Sequence, residues 1–270
     1  QVEKLRVIKR LMDQGHRPGR IVAQSMDALQ HLSRGEASLQ RGDAADAGHA
    51  REDLMAYISM LQTQDHEGLR RELLKTLSQN GLQRFVSDVV APLTTLVGDA
   101  WARGDLAVHE EHLYTECVGS LLRQAIVAIP KAASGVEPAV LLTTFPQEAH
   151  GLGLLMVESL LTLQGCRCIS LGTQTPVRDI AQAATAHSAD VVALSFSVNM
   201  NTNHVVDGLM ELNLLLPASV EVWVGGSAPA LRRRQIDRVQ VMHDFNAITE
   251  AVNHWRAQKT KSESKANGWS

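Results

Sequence analysis

The chain has three cysteines in 270 residues, too few for a disulfide framework. Cys117, Cys166 and Cys168 therefore read as reduced structural thiols. No apolar run approaches the roughly 18 residues of a membrane-spanning helix, and no signal peptide is evident. These absences predict a cytoplasmic protein without membrane contact. Charge of one sign is scarce as well. The 26 Lys and Arg nearly balance 29 Asp and Glu, for a net charge of −3. Any affinity for nucleic acid must then be local. Neither a nucleophile–base pair nor paired carboxylates for hydrolysis are present, so no enzyme is predicted. What the chain does have is apolar bulk: at 44% hydrophobic it can bury one or two sizeable cores.

Residues 138–258 alternate apolar runs with helical stretches. Strands are predicted near 139–144, 167–171, 190–195, 220–224 and 239–243, each followed by a helix or its start. That order argues for an α/β domain with a doubly wound, Rossmann-like parallel sheet. Residues 67–132 have helical patterns, with breaks at Asn80-Gly81 and Arg103-Gly104-Asp105. Pro92 belongs at a bend or helix start. Within the connecting segment 36–66, the Gly/Ala/Asp-rich patch from Arg41 to Gly48 breaks helical periodicity and reads as a turn or linker. The polar tail 259–270 is predicted to be disordered.

The most informative stretch is Glu148-Ala149-His150-Gly151-Leu152-Gly153. Ahead of it lies the β-branched, apolar run Val140-Leu141-Leu142-Thr143-Thr144, and behind it a helical pattern starts at Leu154. An imidazole at such a junction sits at the carboxyl end of a parallel strand, where open α/β sheets bind ligands. The carboxylate two residues earlier can accept the proton of one ring nitrogen, making the other a better metal donor. Gly151 and Gly153 let a bulky group approach the backbone. One histidine with one carboxylate cannot complete a zinc site. It can give a single axial ligand to a metal that brings its own macrocycle.

The hexapeptide resembles the Asp/Glu-x-His-x-x-Gly motif of the cobalamin-binding domain shared by methionine synthase, corrinoid methyl carriers and the CarH-type transcription regulators. Glu148, His150 and Gly153 match it. The resemblance implies that His150 replaces the nucleotide base below cobalt, with Glu148 as its hydrogen-bond partner. Two later strand ends match in order: Ser195-Phe196-Ser197 and the pair Gly225-Gly226. In the family these line the slot for the displaced nucleotide tail. Trp101, followed after nine residues by Glu111-His112, resembles the signature of the CarH-type helical-bundle cap. The resemblance implies that Trp101 packs over the upper face of the cofactor, against a 5′-deoxyadenosyl group, with Glu111 and His112 hydrogen-bonding around it.

Residues 1–35 look like the second half of a MerR-type winged-helix DNA-binding domain, through Val2 to Leu11 and the turn Gly15-His16-Arg17-Pro18-Gly19-Arg20-Ile21. They hold seven Lys/Arg against three acids, a local excess that suits a phosphate backbone. The helix-turn-helix of such a domain should precede Gln1. Without it, residues 1–270 are expected to bind DNA poorly.

The resemblance thus implies a MerR-family cobalamin-dependent regulator in four parts plus a tail: the helical remnant 1–35, a connection 36–66, a four-helix-bundle cap 67–132, a cobalamin-binding domain 138–258 and the tail 259–270. Its cofactor would be adenosylcobalamin, with methylcobalamin possible. Its partners would be promoter DNA, through the full-length N-terminal domain, and further copies of itself as dimer or tetramer. In CarH-type photoreceptors adenosylcobalamin drives tetramer formation and light reverses it. This chain departs from the pattern at Ala102, where a histidine often follows the signature tryptophan; that puts the light step in question. A corrinoid methyl carrier of a methyltransferase system would share residues 67–258 but has no reason to possess 1–35. A cobalamin-binding antirepressor is the remaining alternative. His109, His187, His204, His243 and His254 carry no motif and read as surface or satisfied residues. The loop Asn199, Asn201, Thr202 and Asn203 either solvates a turn or meets corrin amides. Arg232-Arg233-Arg234 reads as an exposed helix face or a subunit contact.

Overall fold

The computed structural model describes residues 53–130, 138–233 and 236–267. The readings of 1–35 and of the Arg41–Gly48 patch lie outside them. The chain divides into two compact units, 1–59 and 60–270. Of the first, residues 53–59 are described, and they are helical.

The second unit begins with helices. In α1 (His66–Arg84), Asp65 caps the first turn by accepting the Gly68 N–H at 2.9 Å. The break predicted at Asn80-Gly81 is a kink inside this helix, with Gly81 at φ 74°. A π-helical turn, Phe85–Val90, leads into α2 (Ala91–Arg103). Pro92 stands in the first turn of α2, where its missing N–H is harmless. Gly104, at φ 80°, ends α2 in the left-handed conformation that glycine adopts freely. Helix α3 (Val108–Ala128) follows. Phe85, Val86, Val90, Leu93, Val118 and Leu122 are fully buried among these helices. Tyr114 is buried with them, its hydroxyl within 2.7 Å of Thr94 Oγ1 and 3.3 Å of the Val90 carbonyl. Burial raises its pKa despite the Thr94 bond.

Five parallel strands follow: β1 (Ala139–Thr143), β2 (Arg167–Gly172), β3 (Val191–Phe196), β4 (Glu221–Gly226) and β5 (Val239–Val241). Between them run α4 (Leu152–Leu163), α5 (Val177–Ala186), α6 (Thr202–Leu215) and the short α7 (Ala230–Arg233); α8 (Phe245–Asn267) closes the fold. The spatial order β2-β1-β3-β4-β5 puts the topological switch point between β1 and β3, the crevice where open α/β sheets bind ligands. The strand alternation legible in the sequence is the sheet observed.

The two sheet faces carry separate cores. One packs Leu141, Val192, Leu194 and Val224 against Ile180, Val205 and Leu209 of α5 and α6. The other packs Val140, Leu142, Ala193 and Trp223 against Leu154 and Leu161 of α4 and Val252 and Trp255 of α8. Helices α1 and α3 pack on α4, and Gly119 of α3 brings that backbone close to Leu155. The helical layer thus rests on the helix that starts immediately after His150. Cys166 is buried and Cys168 half-buried against the same core. Desolvation pushes their thiols up to about 11 and about 12, so both stay protonated, as structural cysteines do.

The tail is a correction. Residues 259–267, expected to be disordered, continue α8 to Asn267. Polarity alone was a poor guide there. The stretch has no Gly or Pro before Gly268, and three Lys, one Glu and one Ala among its nine residues are good helix formers. The packed half, buried at Ile248, Ala251, Val252 and Trp255, supplies the nucleus, so elongation avoids that penalty. Lys259 lies over the Trp255 ring, 4.8 Å from its centroid. Among the described residues no helix is long and apolar enough to cross a membrane.

Candidate functional site

Past β1 the chain turns sharply. The Glu148 N–H donates to the Phe145 carbonyl at 3.1 Å, with Pro146 second and Gln147, at φ 72°, third. That is the pattern of a type II turn, with glutamine where glycine is usual. His204 of α6 holds the Gln147 side chain, Nδ1 to Oε1 at 3.1 Å. His150 follows, then Gly151, the N-cap of α4.

Glu148 is 1% exposed. A buried carboxylate is unfavourable unless hydrogen bonds replace its water. Here Oε1 accepts the His150 backbone N–H at 3.1 Å and lies 2.6 Å from His150 Nδ1. Oε2 accepts the Ser197 N–H at 2.6 Å. Burial pushes the Glu148 pKa up, but these bonds from His150 and Ser197 outweigh it and take it down to about 2. The group is therefore a carboxylate at any physiological pH. The hydrogen bond to Glu148 raises the pKa of His150 against the desolvation that lowers it, and the charges of Glu148 and Glu111 raise it further. With Nδ1 engaged by a carboxylate, the neutral ring carries its free lone pair on Nε2. The side chain is 62% exposed, so that nitrogen is open to a partner.

Four small residues shape the crevice beside this pair. A Cβ on Gly153 would stand 2.6 Å from Ser195 Oγ, and one on Gly151 would stand 3.3 Å from Thr173 Cγ2. Gly225 and Gly226 pair with Ser195 and Phe196 across β3 and β4. Gly226 sits at φ 104°, where a Cβ would run into the Phe196 carbonyl, while one on Gly225 would make only ordinary contact with Met242. Ser197 Oγ is close enough to help hold the Glu148 charge, yet it is buried without a well-formed hydrogen bond. Such an orphaned hydroxyl suits a site that a ligand's polar atoms complete.

The helical layer adds the other side. Glu111 of α3 reaches the field of His150. Its Oε2 is 2.8 Å from His112 Nδ1, and its Oε1 accepts the Thr115 hydroxyl at 2.8 Å. His112 is 72% exposed. Trp101, in the last turn of α2, is 47% exposed; it is not a core tryptophan. The structure thus joins Glu148, His150 and Ser197 directly, and brings Glu111 within electrostatic reach. Thr144 and the Gln147–His204 contact are functional features that the sequence pattern does not mark. Thr144 was visible only as a hydroxyl at a strand's end, and His204 carried no motif. Among the described residues no group of three His, Cys, Asp or Glu could hold a metal by itself. A metal at His150 would bring its remaining ligands.

Comparison with known proteins gives this geometry its context. Two B12 binding domain families match, one over residues 138–254 and the other over 53–125. The chain is 30% identical over 244 residues to the HTH-type transcriptional repressor CarH of Myxococcus xanthus, covering 89% of this chain and 79% of that protein. It belongs to the CarH-type family of cobalamin-binding regulators. The HTH-type transcriptional repressor CarA of Myxococcus xanthus is 34% identical over 121 residues, 45% of this chain and 41% of CarA. The monomethylamine corrinoid protein of Methanosarcina barkeri shares the fold, with a TM-score of 0.57 at 15% identity, covering 73% of this chain and 96% of that one. The CarH-type assignment agrees with the donor set: one oriented imidazole, a glycine-lined crevice and an unsatisfied buried hydroxyl fit a corrinoid. The helical match begins at residue 53, ahead of the boundary at 67 expected from periodicity.

Proposed function

We propose that this cobalamin-binding regulator is a light-responsive repressor with adenosylcobalamin as chromophore, and that the ligand above cobalt sets its oligomeric state. The observation that carries the reading is the 2.6 Å contact between buried Glu148 and exposed His150, which leaves the imidazole's other nitrogen available. His150 would hold the cobalt through Nε2. Gly151, Gly153, Ser195, Ser197, Gly225 and Gly226 form the slot for the nucleotide tail. Trp101, Glu111 and His112 would hold the adenosyl group. When bound, adenosylcobalamin supplies a cobalt–carbon bond that light can break. Trp101 and the Glu111-His112 pair would make contacts to the adenosyl group in only one arrangement of cap and sheet. Losing those contacts withdraws the differential binding energy that favours that arrangement. The chain performs no chemistry of its own. Its basic segment 1–35 belongs to the DNA-binding end, 36–66 connects it, 67–132 caps the cofactor and 138–258 binds it.

The light step is tested by illuminating the adenosylcobalamin complex while following absorbance and sedimentation together. Complete photolysis should lower the oligomeric state; an unchanged oligomer would reject the switch. The slot is tested by Gly153→Val. Ser195 can rotate its hydroxyl away, so the fold should survive while the new methyls fill the crevice. Cobalamin affinity should fall more than roughly tenfold, a loss above about 1.4 kcal/mol, read by equilibrium dialysis against wild type.

A further inference from the structure

A single buried hydroxyl underlies the Glu148–His150 pair. Thr144, the first residue past β1, is fully buried. Its Oγ1 donates to the Glu148 carbonyl at 2.6 Å and accepts the Gln174 N–H at 2.8 Å. Its own carbonyl accepts the Thr175 N–H at 3.0 Å. The neighbouring Thr143 hydroxyl meets the Gly172 carbonyl at 3.0 Å and the Thr175 hydroxyl at 2.7 Å. The loop that carries His150 is thereby stitched to the loop between β2 and α5.

Both ends of the stitch are strained. Gln147 and Gln174 have φ of 72° and 62°, values that residues with a Cβ hold only where their surroundings fix them. Gln147 immediately precedes Glu148, the residue whose carbonyl Thr144 binds. Gln174 supplies the N–H that Thr144 accepts. Without the hydroxyl, each turn loses one of the bonds that oppose its relaxation.

We infer that Thr144 is a positioning residue for cobalt ligation: by holding the Glu148 peptide it fixes the carboxylate, and so determines which nitrogen of His150 is bare and where it lies. The inference rests on His150 being the lower ligand. Thr144→Val keeps the shape of the side chain but leaves the Glu148 carbonyl and the Gln174 N–H unpaired. Thr144→Ser and Thr144→Ala differ from each other by the hydroxyl alone. A purely structural threonine would change the melting temperature in these variants and nothing about the imidazole.

The full chain is used for two measurements. The first is a long-range proton–nitrogen correlation of the histidine rings in the cofactor-free protein, at alkaline pH where they are neutral, with His150 assigned through His150→Ala. The second is titration with aquocobinamide, a corrinoid with no nucleotide base of its own, read from its visible spectrum. Wild type and Thr144→Ser should show the Nδ1-protonated tautomer and similar affinity. Thr144→Val and Thr144→Ala should mix tautomers and weaken imidazole-bound cobinamide by roughly tenfold or more. If Thr144→Val is too unstable, the serine–alanine pair gives the same comparison. An unchanged tautomer and affinity in a folded hydroxyl-less variant would overturn the inference, as would Thr144→Ser behaving like Thr144→Ala. Wild type that ignores cobinamide would remove the cobalt reading, while the tautomer comparison would still decide the role of Thr144.

Discussion

His150→Ala is expected to abolish imidazole ligation of cobalt while leaving the protein folded. The ring is 62% exposed, so its removal opens no cavity in either core. Glu148 keeps two of its three donors, because the backbone N–H at position 150 and that of Ser197 survive the substitution. What disappears is the only ring nitrogen that this loop presents. Added cobalamin should then retain its own base or water below the metal, and the visible spectrum should show no imidazole-bound form. Affinity should fall on the order of 100-fold, at the upper end of what losing a group that merely orients a ligand costs. Equilibrium dialysis and spectra of wild type and variant, recorded in the dark, decide this. Wild-type protein that holds cobalamin with its benzimidazole still attached would falsify the ligand assignment.

Some of this arrangement could be read from the chain and some could not, for identifiable reasons. The sheet was legible chiefly from its central strands, β1 and β3, which are buried on both faces: Val140-Leu141-Leu142 and Val191-Val192-Ala193-Leu194 are continuous apolar runs, the mark of parallel strands between helical layers. The pairing of Glu148 with His150 was legible because the two stand only two residues apart. The Ser197 N–H on Glu148 was not, since 49 residues separate them and only the β1–β3 adjacency brings them together. Thr144 was hidden for a similar reason. Its partners are a carbonyl four residues ahead and an N–H thirty residues ahead, and neither is encoded by a side-chain pattern. The helical end of α8 was misread because polar composition describes exposure, whereas helix continuation depends on propensity and on an existing nucleus.

The Glu148–His150 contact should also leave its mark on stability against pH. Glu148 has a folded pKa of about 2 against an ordinary 4.5. A depressed carboxylate stabilises the fold above its unfolded pKa, and that contribution is lost as pH falls from about 4.5 through about 2. The size is roughly 3 kcal/mol. His150 runs the other way: its folded pKa is raised above 6.5, so its contribution is complete below 6.5 and lost as pH rises through the folded value. Both statements describe one contact and are not summed. The contact is strongest between the acid limb of Glu148 and the alkaline limb of His150, where both groups are charged. Glu148→Gln retains the volume but removes the charge, and its amide cannot accept both the Ser197 N–H and the imidazole proton. The variant should lose stability at neutral pH and show a much flatter acid limb. The same substitution returns the His150 pKa toward its ordinary value. A proton then competes with cobalt over a lower pH range, but Nε2 is a weaker donor and ligation weakens overall. Urea unfolding of wild type and variant across the acid range reads the stability effect. Parallel curves from neutrality down to about pH 3 would show that the carboxylate contributes nothing, because the linkage requires the two proteins to take up different numbers of protons on unfolding.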